Sequence, residues 1–583
     1  HGAAAVAGDR SDAATAAGAA VAGMVRAAQA EHPGRFVLVD LDPGGPDADD
    51  HDDDPGAVDA LVTAAVATGE PEVAVRNGRL HARRLVEAPP PAGAAEHAAG
   101  WGDGTVLVTG GTGTLGAAVA RHLVAAHGVR SLLLAGRRGP AAPGAAELVA
   151  ELEAQGAAVT VAAADVADRA AVERLLAAVP TDRPLRGVVH AAGTLDDAVL
   201  ASLSPAQLAA VWGAKALGTW HLHELTRDVE LAAFVVFTST AGVLGAAGQA
   251  NYAAASAFAD AVVEHRRSLG LPGVAVAWGL WAEASGLTGA MADADRARMR
   301  RAGIVPLATA DALRLLDRAL GLGPVTVALG LDRAAVQASS PAGVPPVWRR
   351  LVAPAPPPTA TTAAPASSGG DGDAGAPDPT ADPPLVRRLA AAGGAGVRRH
   401  RVMVDAVRAE AATVLGHAGP DAVDPGRAFK DMGFDSLTAV DLRNRLAAAT
   451  GLRLPTTLAF DHPTVERLAA HLATRLAAHP RLAEARAGNG AGGADPDGRL
   501  DADELVTRLE AAVAAGGVTP EVVDRLRRLA SDLALTPKSG GTGDGDGGDG
   551  AADPAREIED ELADADAQEV LDFIDREFGE AVG

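Results

Sequence analysis

The feature that most constrains the fold of this chain is a glycine-rich turn between an apolar strand and a helix. The strand is predicted at Thr105–Thr109, and the helix runs from Leu115 to about His127. Glycine lets the backbone approach a pyrophosphate, and a helix N-terminus offers partial positive charge and free N–H groups. In this setting the glycine spacing favours a dinucleotide site over a simple tight turn. The predicted cofactor contacts in the turn are Gly110, Gly111, Thr112, Gly113, Leu115 and Gly116.

Strands and helices keep alternating through residues 98–352, which predicts a parallel sheet with helices on both faces. The strand Ser131–Ala135 leads to Arg137 and Arg138, where NAD sites usually carry an acidic residue. A guanidinium matches a 2′-phosphate, so these arginines predict a preference for NADPH over NADH. Later strand ends add candidate contacts: Asp165 and Val166 for the adenine, and Ala191, Ala192 and Gly193 for the nicotinamide.

Composition limits the kind of protein this is. The 583 residues predict roughly three or four folded units. The formal net charge of −24 argues against a nucleic-acid partner because phosphate binding needs a basic face. The absence of cysteine excludes disulfides and thiolate metal sites, and no metal site is predicted. Neither a signal peptide nor a membrane-spanning apolar run is found. We therefore expect a cytoplasmic protein, and the start at His1 indicates a fragment of a longer polypeptide.

The first segment, residues 1–97, has an α/β pattern. Helical stretches are predicted at Thr15–Ala30 and Ala57–Thr68, with a short strand at Phe36–Val39 between them. A hairpin follows, because Asn77-Gly78 between two apolar runs is typical of a type I′ turn; its strands are predicted at Glu72–Arg76 and Arg79–Leu85. The acidic stretch Asp42–Asp54 matches no calcium loop, so a solvated loop is favoured over a cation site.

The remaining chain divides by composition into linkers and helical units. A linker rich in Pro, Ala and Gly is predicted at 353–384, a helical unit at 385–476 and a second linker at 477–500. Two amphipathic helices are predicted within 501–536, followed by a Gly/Asp linker at 537–553 and a last amphipathic helix within 554–583.

A second chemical motif lies in the helical unit. Gly433-Phe434-Asp435-Ser436-Leu437 stands at the start of a helix predicted at Leu437–Leu446. A helix start suits an anionic phosphate, so Ser436 is a candidate for attachment of a phosphodiester-linked group. Asp435-Ser436 could also be a plain N-cap, but that role does not explain the glycine and phenylalanine before it.

The glycine turn, the His190-Ala191-Ala192-Gly193 strand end and a downstream Ser/Tyr pair resemble the short-chain dehydrogenase/reductases. More narrowly, they resemble the ketoreductase domain of modular polyketide synthases. The resemblance implies that residues 1–97 are the C-terminal part of a truncated, non-catalytic Rossmann-like subdomain. Residues 98–352 would be the catalytic subdomain.

The resemblance implies Tyr252, Ser239 and Lys215 as catalytic residues. Reduction of a ketone leaves negative charge on oxygen, so a proton donor must stand beside that oxygen. A phenol needs a neighbouring ammonium to lower its pKa, and a serine hydroxyl can orient the carbonyl. Tyr252 is the chain's one tyrosine and Lys215 is one of three lysines, which favours these roles over a core aromatic and a surface lysine.

One position departs from the family pattern. The family has asparagine four residues after the tyrosine, whereas this chain has Ser256. An active reductase is favoured, and a reductase-inactive module, structural or epimerising, is the alternative. NADPH consumption with a model β-keto thioester separates the two.

The resemblance also implies the stereochemistry of the product. Leu195-Asp196-Asp197 is similar to the fingerprint of B-type ketoreductases, and Leu244 stands where A-type enzymes have tryptophan. The implied product is the D-β-hydroxyacyl chain. A helical stretch at Ala290–Arg301 is interpreted equally as a lid over the substrate or as a surface helix.

Gly-x-Asp-Ser-Leu is identified as the attachment signature of phosphopantetheine carrier domains, which are four-helix bundles. By the same resemblance, residues 501–583 are dimerisation and docking helices. The last helix would bind the N-terminus of the next synthase polypeptide, with packing on its own carrier domain as the alternative. Expected partners are upstream ketosynthase and acyltransferase domains, a phosphopantetheinyl transferase and a second copy of the chain. A stand-alone reductase with a fused carrier domain remains a rival, which modification of Ser436 would argue against.

Overall fold

The computed structural model describes residues 13–41, 55–89, 101–283, 289, 291, 293–338, 344–353, 382–392, 396–417 and 419–482. The predicted acidic loop, most of the first linker, part of the second linker, the dimerisation helices and the docking helix lie outside the described residues. The chain groups into two compact units. The first contains all the strands, and the second contains α13, α17 and most of α14.

The described strands, in chain order, are β1 Leu38–Asp40, β2 Glu72–Arg76, β3 Arg79–Ala82, β4 Thr105–Thr109, β5 Ser131–Gly136, β6 Ala158–Ala163, β7 Leu185–His190, β8 Ala233–Ser239, β9 Val274–Trp278, β10 Ile304–Val305, β11 Val325–Ala328 and β12 Gly330–Leu331.

The described α-helices are α1 Ala13–Glu31, α2 Pro55–Ala67, α3 Thr114–Ala125, α4 Ala145–Ala154, α5 Arg169–Ala177, α6 Pro205–Trp212, α7 Gly218–Leu225, α8 Thr240–Leu244, α9 Ala250–Ser268, α10 Asp293–Arg301, α11 Thr309–Ala319, α12 Arg333–Ala338, α13 Pro384–Ala391, α14 Gly396–Leu415, α15 Ser436–Thr450, α16 Leu458–Asp461 and α17 Val465–Leu476. A five-residue π-helix, Gly213–Leu217, joins α6 to α7. No helix among these combines the length and apolarity needed to cross a bilayer.

Seven parallel strands form the main sheet, in the order β11-β9-β8-β7-β4-β5-β6. The central strand β4 reads Thr-Val-Leu-Val-Thr and is buried along its whole length, as expected for a parallel strand covered on both faces. Alternate side chains enter two separate cores, with Val106 and Val108 in one and Leu107 in the other. The sheet confirms the predicted α/β class.

The strand order reverses between β4 and β7. β4 leads to its neighbour β5 on one side, while the chain returns later to place β7 on the other side. A crevice therefore opens at the carboxyl ends of these two strands, which is the usual ligand site of open α/β sheets. The glycine turn after β4 and Ala191–Gly193 after β7 both lie there.

The first segment forms a three-stranded sheet, β1-β2-β3. Its turn residues Asn77 and Gly78 both have positive φ, at 51° and 69°, so the type I′ hairpin is confirmed. The first strand is formed by Leu38–Asp40 rather than Phe36–Val39, and Phe36 is 39 % exposed. The second hairpin strand ends at Ala82 rather than Leu85, because Leu85 donates its backbone N–H to Val347 instead.

Helix α1 of this segment packs along α9, a helix that covers the seven-stranded sheet. Close approach is possible because α1 carries Gly23, where a Cβ would lie 2.5 Å from the carbonyl oxygen of Ala253. Arg26 extends the contact, since it donates to the carbonyl of Gly242 at 2.7 Å and pairs with Glu72 at 2.6 Å. The first segment therefore supports the elements that carry the candidate site.

The region predicted as a carrier domain is helical. Each long helix has a buried face at helical spacing, for example Val407 and Ala411 on α14 and Leu468 and Leu472 on α17. The helix predicted at Leu437–Leu446 spans Ser436–Thr450.

Candidate active site and carrier site

The glycine turn forms a cradle in which Gly110 and Gly116 have no room for a side chain. Gly110 has φ +69°, and a Cβ there would lie 2.8 Å from the carbonyl oxygen of Ala191. A Cβ on Gly116 would approach the carbonyl oxygen of Gly110 more closely than the 3.0 Å that real Cβ atoms keep. Gly113 is the N-cap of α3 and has no side chain over the helix N-terminus. Backbone N–H groups are thus exposed at a helix start, which fits the pyrophosphate of a dinucleotide.

The other predicted cofactor contacts line the same edge of the sheet. Arg137 and Arg138 follow β5, are exposed, and form no ion pair among the described residues. The Asp165 carboxylate accepts from the backbone N–H of Ala167 at 3.0 Å, and the neighbouring Val166 is buried. These positions follow the carboxyl ends of β5 and β6, on one side of the strand-order reversal.

His190 closes β7 as a neutral imidazole. Its Nδ1 lies 2.7 Å from the hydroxyl of Thr109, the last residue of β4. Burial, followed by the charge of Lys215, lowers the pKa of His190 to about 3. The ring therefore joins the two strands at the crevice without adding charge beside the Ala191–Gly193 segment.

Lys215 occupies the π-helix between α6 and α7. One-turn π segments inside α-helices are frequent at functional sites, and this one carries a lysine that is 3 % exposed. The ammonium donates to the carbonyl oxygen of Phe237 at 2.9 Å. It also lies 4.8 Å from the ring centroid of Tyr252. The structure thus brings together two residues that are 37 positions apart in the sequence.

Ser239 is the last residue of β8, two positions beyond the carbonyl that holds Lys215. Its hydroxyl oxygen accepts from the backbone N–H of Ala241 at 3.1 Å and caps α8. That bond uses an acceptor lone pair, so the O–H remains available as a donor. Ser239 is half-buried, and a hydroxyl donor there can reach a carbonyl oxygen in the crevice.

Tyr252 stands in the first turn of α9, half-buried. The preceding residue Asn251 is fully buried, and its amide donates to the carbonyl oxygens of Asp196 at 2.8 Å and Gln207 at 3.3 Å. Its side-chain oxygen accepts from the backbone N–H of Tyr252 at 2.8 Å. Asn251 therefore ties the start of α9 to the loop after β7.

The predicted stereocontrol segment, Leu195 to Asp197, is held by two glutamines. Gln207 donates to the Asp196 carboxylate at 2.9 Å, and Gln249 donates to the Asp197 carboxylate at 2.7 Å. Gln249 is the N-cap residue of the helix that carries Tyr252. Leu195 is half-buried, and both aspartates are exposed beside the crevice. The structure thus places this segment next to Tyr252.

Ser256, the position that departs from the family pattern, is fully buried one turn after Tyr252 on α9. Its Oγ has no hydrogen-bond partner among the described residues.

The helical stretch predicted at Ala290–Arg301 forms as α10, Asp293–Arg301. Its interpretation as a lid or as a surface helix stays a prediction.

Glu31 is a site-supporting residue whose role the sequence did not reveal. Its carboxylate is 1 % exposed at the end of α1 and accepts from the backbone N–H groups of Leu200 at 2.8 Å and Gly248 at 3.0 Å. Gly248 precedes Gln249 and the helix of Tyr252. Because its hydrogen-bond partners lie 169 and 217 residues away in the chain, no local sequence pattern identifies Glu31 as a supporting residue. The one signal is that buried carboxylates are rare in proteins.

The carrier motif begins α15. Gly433 has φ +92° and ends a short 3-10 turn, and the Phe434 ring packs against Phe429 with ring centroids 5.0 Å apart. The Asp435 carboxylate accepts from the backbone N–H groups of Leu437 at 3.0 Å and Thr438 at 2.8 Å. Ser436 itself is exposed. Asp435 therefore performs the capping, which leaves the Ser436 hydroxyl open to modification.

The parallel sheet and the glycine cradle at its strand-order reversal define an oxidoreductase of the short-chain dehydrogenase/reductase type. Three family models match the chain. The model described as KR domain matches residues 104–283. The model described as the Rossmann fold domain of polyketide synthase extender module SpnB matches residues 1–85. The model described as phosphopantetheine attachment site matches residues 405–472.

Curated relatives are similar over most of the chain. The spectinabilin polyketide synthase system protein NorA' of Streptomyces orinoci is 50 % identical over 461 residues, which cover 79 % of this chain and 12 % of that protein. The mycoketide-CoA synthase of Mycobacterium tuberculosis (strain ATCC 25618 / H37Rv) is 50 % identical over 382 residues, which cover 65 % of this chain and 9 % of that protein. The chain therefore spans only a small part of these relatives.

Two solved structures are similar over the reductase. One, titled as A-type ketoreductases from a modular polyketide synthase, is 39 % identical with a TM-score of 0.54 and covers 60 % of this chain and 72 % of that one. The other, the first ketoreductase of the tylosin synthase, is 38 % identical with a TM-score of 0.50. The match covers 60 % of this chain and 75 % of that one. The chain belongs to the modular polyketide synthases, as a part that contains a ketoreductase and a carrier domain. Its cofactors are accordingly NADPH and 4′-phosphopantetheine.

Proposed function

We propose that this part of the synthase reduces a β-ketoacyl thioester, carried on phosphopantetheine at Ser436, to the D-β-hydroxyacyl thioester. The observation that carries the proposal is the position of the Lys215 ammonium, 4.8 Å from the ring of Tyr252 and bonded to the strand that ends in Ser239. The glycine cradle follows β4, which is separated from that strand by β7 in the same sheet. A proton donor, a cation and a carbonyl-orienting hydroxyl thus stand at one end of the sheet.

In the proposed reduction, Ser239, Tyr252 and Lys215 each have one role. NADPH, when bound at the glycine cradle, supplies the hydride that adds to the β-carbon. The Ser239 hydroxyl donates a hydrogen bond to the ketone oxygen and orients the carbonyl. Tyr252 gives its phenolic proton to that oxygen as negative charge develops, so the ketone becomes an alcohol. The Lys215 ammonium stabilises the phenolate left behind and is held in place by the carbonyl of Phe237.

The central test is Tyr252→Phe, which removes only the phenolic oxygen. With a β-keto pantetheine thioester, we expect NADPH oxidation to fall by about 10²–10⁴-fold, whereas NADPH binding, followed by fluorescence, stays at the parent level. Phe36→Leu, at a phenylalanine of the first segment that is 39 % exposed, is the matched control and should retain turnover. Parent-level turnover by Tyr252→Phe would refute the proposed role.

We propose NADPH selectivity on the basis of Arg137 and Arg138, which are exposed and unpaired among the described residues beside the cradle. Each guanidinium can bind a 2′-phosphate through two N–H groups. Replacement of both by alanine should lower kcat/KM for NADPH at least tenfold and leave kcat/KM for NADH unchanged. Arg227→Ala, whose side chain is 51 % exposed away from the cradle, should change neither value. An unchanged ratio in the double variant would contradict the assignment.

We propose D-selectivity from the segment Leu195 to Asp197, which Gln207 and Gln249 hold next to Tyr252. The absence of tryptophan at Leu244 supports the same product. Chiral analysis of the alcohol should give the D isomer. An L product from the parent chain would overturn this part of the proposal.

We propose that Ser436 carries the phosphopantetheine arm, because it is exposed at the start of α15 while Asp435 caps the helix. Incubation with coenzyme A and a phosphopantetheinyl transferase should add the mass of one arm, and Ser436→Ala should abolish the gain. Modification elsewhere in the variant would contradict the site.

The assembly contacts are also proposals. Residues 501–536 would form dimerisation helices, and residues 554–583 would dock on the next synthase polypeptide; upstream ketosynthase and acyltransferase domains would supply the substrate. Removal of residues 501–583 should turn a dimer into a monomer in light scattering. A dimer that persists without them would refute the dimerisation assignment.

A second candidate is a reductase-inactive module. The observation that favours it is Ser256, whose buried Oγ has no partner among the described residues where the family has asparagine. If the parent oxidises no NADPH and Ser256→Asn does, this second candidate is correct. Turnover by the parent excludes it.

A further inference from the structure

A cluster of three potential metal ligands lies at the junction of α3 and α11. His122 Nε2 is 2.9 Å from both carboxylate oxygens of Asp317, and His127 Nε2 is 2.8 Å from Oδ1 of the same carboxylate. The ligand atoms all lie within 4.8 Å of one another. The same ring nitrogen of each histidine thus points at a single carboxylate.

Local backbone geometry sets the two imidazoles side by side. Helix α3 ends at Ala125, and Gly128 with φ +68° turns the chain so that Val129 donates back to the Leu123 carbonyl at 3.0 Å. This C-terminal turn places His127 beside His122, with ring centroids 5.1 Å apart and ring planes at 80°. The rings are therefore held edge to face, with their Nε2 atoms free to converge on a third group.

No cation of the protein competes for Asp317 among the described residues. The arginines on α3, on α11 and just after α3 have other partners. Arg121 pairs with Glu151, and Arg130 donates to the carbonyls of Val124 and Val129. Arg314 pairs with Asp311, and Arg318 donates to the carbonyls of Ala88 and Pro89. The carboxylate therefore faces two imidazoles and no guanidinium. Its side chain is 36 % exposed, and the imidazoles are 15 % and 19 % exposed, so an ion can enter from solvent.

We propose that His122, His127 and Asp317 form a binding site for a divalent transition-metal ion, with Zn²⁺ as the best match. Two imidazole nitrogens and one carboxylate oxygen are the ligands that Zn²⁺ takes, with water in the fourth position. Ligand atoms about 2.0–2.2 Å from Zn²⁺ are about 3.3–3.6 Å apart in a tetrahedron, so each imidazole nitrogen needs to move only about 0.4–0.8 Å further from the carboxylate oxygen. The hydrogens now shared with Asp317 would move to Nδ1 of each ring.

The site is separate from the reduction chemistry. Helix α3 begins at the glycine cradle and is 12 residues long, so its C-terminal end lies about 18 Å away, toward the opposite edge of the sheet. An ion there would join α3 to α11 and stabilise their packing on the seven-stranded sheet, without contact to Tyr252 or the cofactor. The proposal therefore does not depend on the proposed function.

The test is Zn²⁺ titration of the metal-free full chain against a chromogenic chelator, with metal content measured after dialysis. The parent should bind one equivalent that His127→Gln and Asp317→Asn lack, or bind at least tenfold more weakly. Zn²⁺ should also raise the unfolding temperature of the parent but not of the variants. The matched control His81→Gln, at an exposed histidine of β3, should behave as the parent does.

Co²⁺ gives a second readout, since a His₂Asp site should produce the visible absorption of tetrahedral Co²⁺ in the parent and not in Asp317→Asn. Far-UV circular dichroism establishes that each variant is folded, and its signal should remain at parent level. Two results would overturn the proposal: no Zn²⁺ binding by the parent below about 100 µM, or equal binding by the parent and both variants.

Discussion

Glu31→Gln tests how a residue of the first segment positions the candidate catalytic helix. The Glu31 carboxylate accepts the backbone N–H groups of Leu200 and Gly248 at 2.8 and 3.0 Å while only 1 % exposed. Glutamine keeps one acceptor oxygen but presents an NH₂ group where the second oxygen was. The Leu200 N–H lies 3.1 Å from Oε1 and 2.8 Å from Oε2, and the Gly248 N–H lies 3.0 Å from Oε1. In either orientation of the amide, the NH₂ group therefore faces at least one of these buried donors, and that bond is lost.

The size of the effect follows from the number and kind of bonds lost. A hydrogen bond to a charged group contributes about 1.5–3 kcal/mol, and one of two is lost. Because 1 kcal/mol shifts the unfolding temperature of a domain of 150–250 residues by about 2–4 °C, and that of the larger unit that contains Glu31 by less, we expect a decrease of about 2–4 °C. Gly248 also leads into the first turn of α9, so kcat should fall more than KM rises as Tyr252 shifts.

Both effects are measurable on the purified chain. Differential scanning fluorimetry reports the unfolding temperature, and NADPH oxidation with a β-keto thioester reports kcat and KM. Glu87→Gln is the control, because that carboxylate is 81 % exposed and pairs with Arg333 at the surface, and it should change stability by less than about 0.5 kcal/mol. An unfolding temperature within about 1 °C of the parent, with unchanged kcat, would refute the reasoning.

Three further substitutions test the cradle, the helix contact and a buried acid. Gly116→Ala places a Cβ inside the 3.0 Å limit from the Gly110 carbonyl oxygen, so NADPH binding, measured by fluorescence, should be lost. Gly23→Ala places a Cβ 2.5 Å from the carbonyl oxygen of Ala253 and should cost on the order of 1–3 kcal/mol of stability, measured by thermal unfolding. Burial raises the pKa of Asp260 from 3.8 to about 6. The unfolded state therefore loses this proton first, and stability falls as pH rises from about 4 to about 6. Asp260→Asn should remove this loss, on the order of 3 kcal/mol, in unfolding curves recorded at pH 4 and pH 7.5.

Each of these has a matched control. Gly323→Ala adds a Cβ with no atom within 4 Å, so NADPH binding and stability should stay at parent level. Asp182→Asn changes a carboxylate that is 77 % exposed and should leave the pH dependence of stability as it is. Equal behaviour of each test variant and its control would contradict the corresponding prediction.

The sequence alone determined the features that depend on neighbours in the chain. The turn after β4 could be predicted because only glycine fits a positive φ and a backbone approach of this closeness. The type I′ hairpin at Asn77-Gly78 and the helix start at Ser436 are local in the same way, since a turn or a cap is set within a few residues. The alternation of strands and helices likewise fixed the parallel sheet.

Tertiary structure decided what depends on residues far apart in the chain. The sequence offered Lys215 and Tyr252 as candidates, but only the folding of the π-helix against β8 placed the ammonium 4.8 Å from the ring. Glu31 and Asp317 look like ordinary acidic residues in their helices, because their partners lie 169 to 217 residues away. Local propensity acts over a few residues, whereas burial and long-range hydrogen bonds exist only once the sheet has assembled. Those contacts set the surroundings of these two carboxylates.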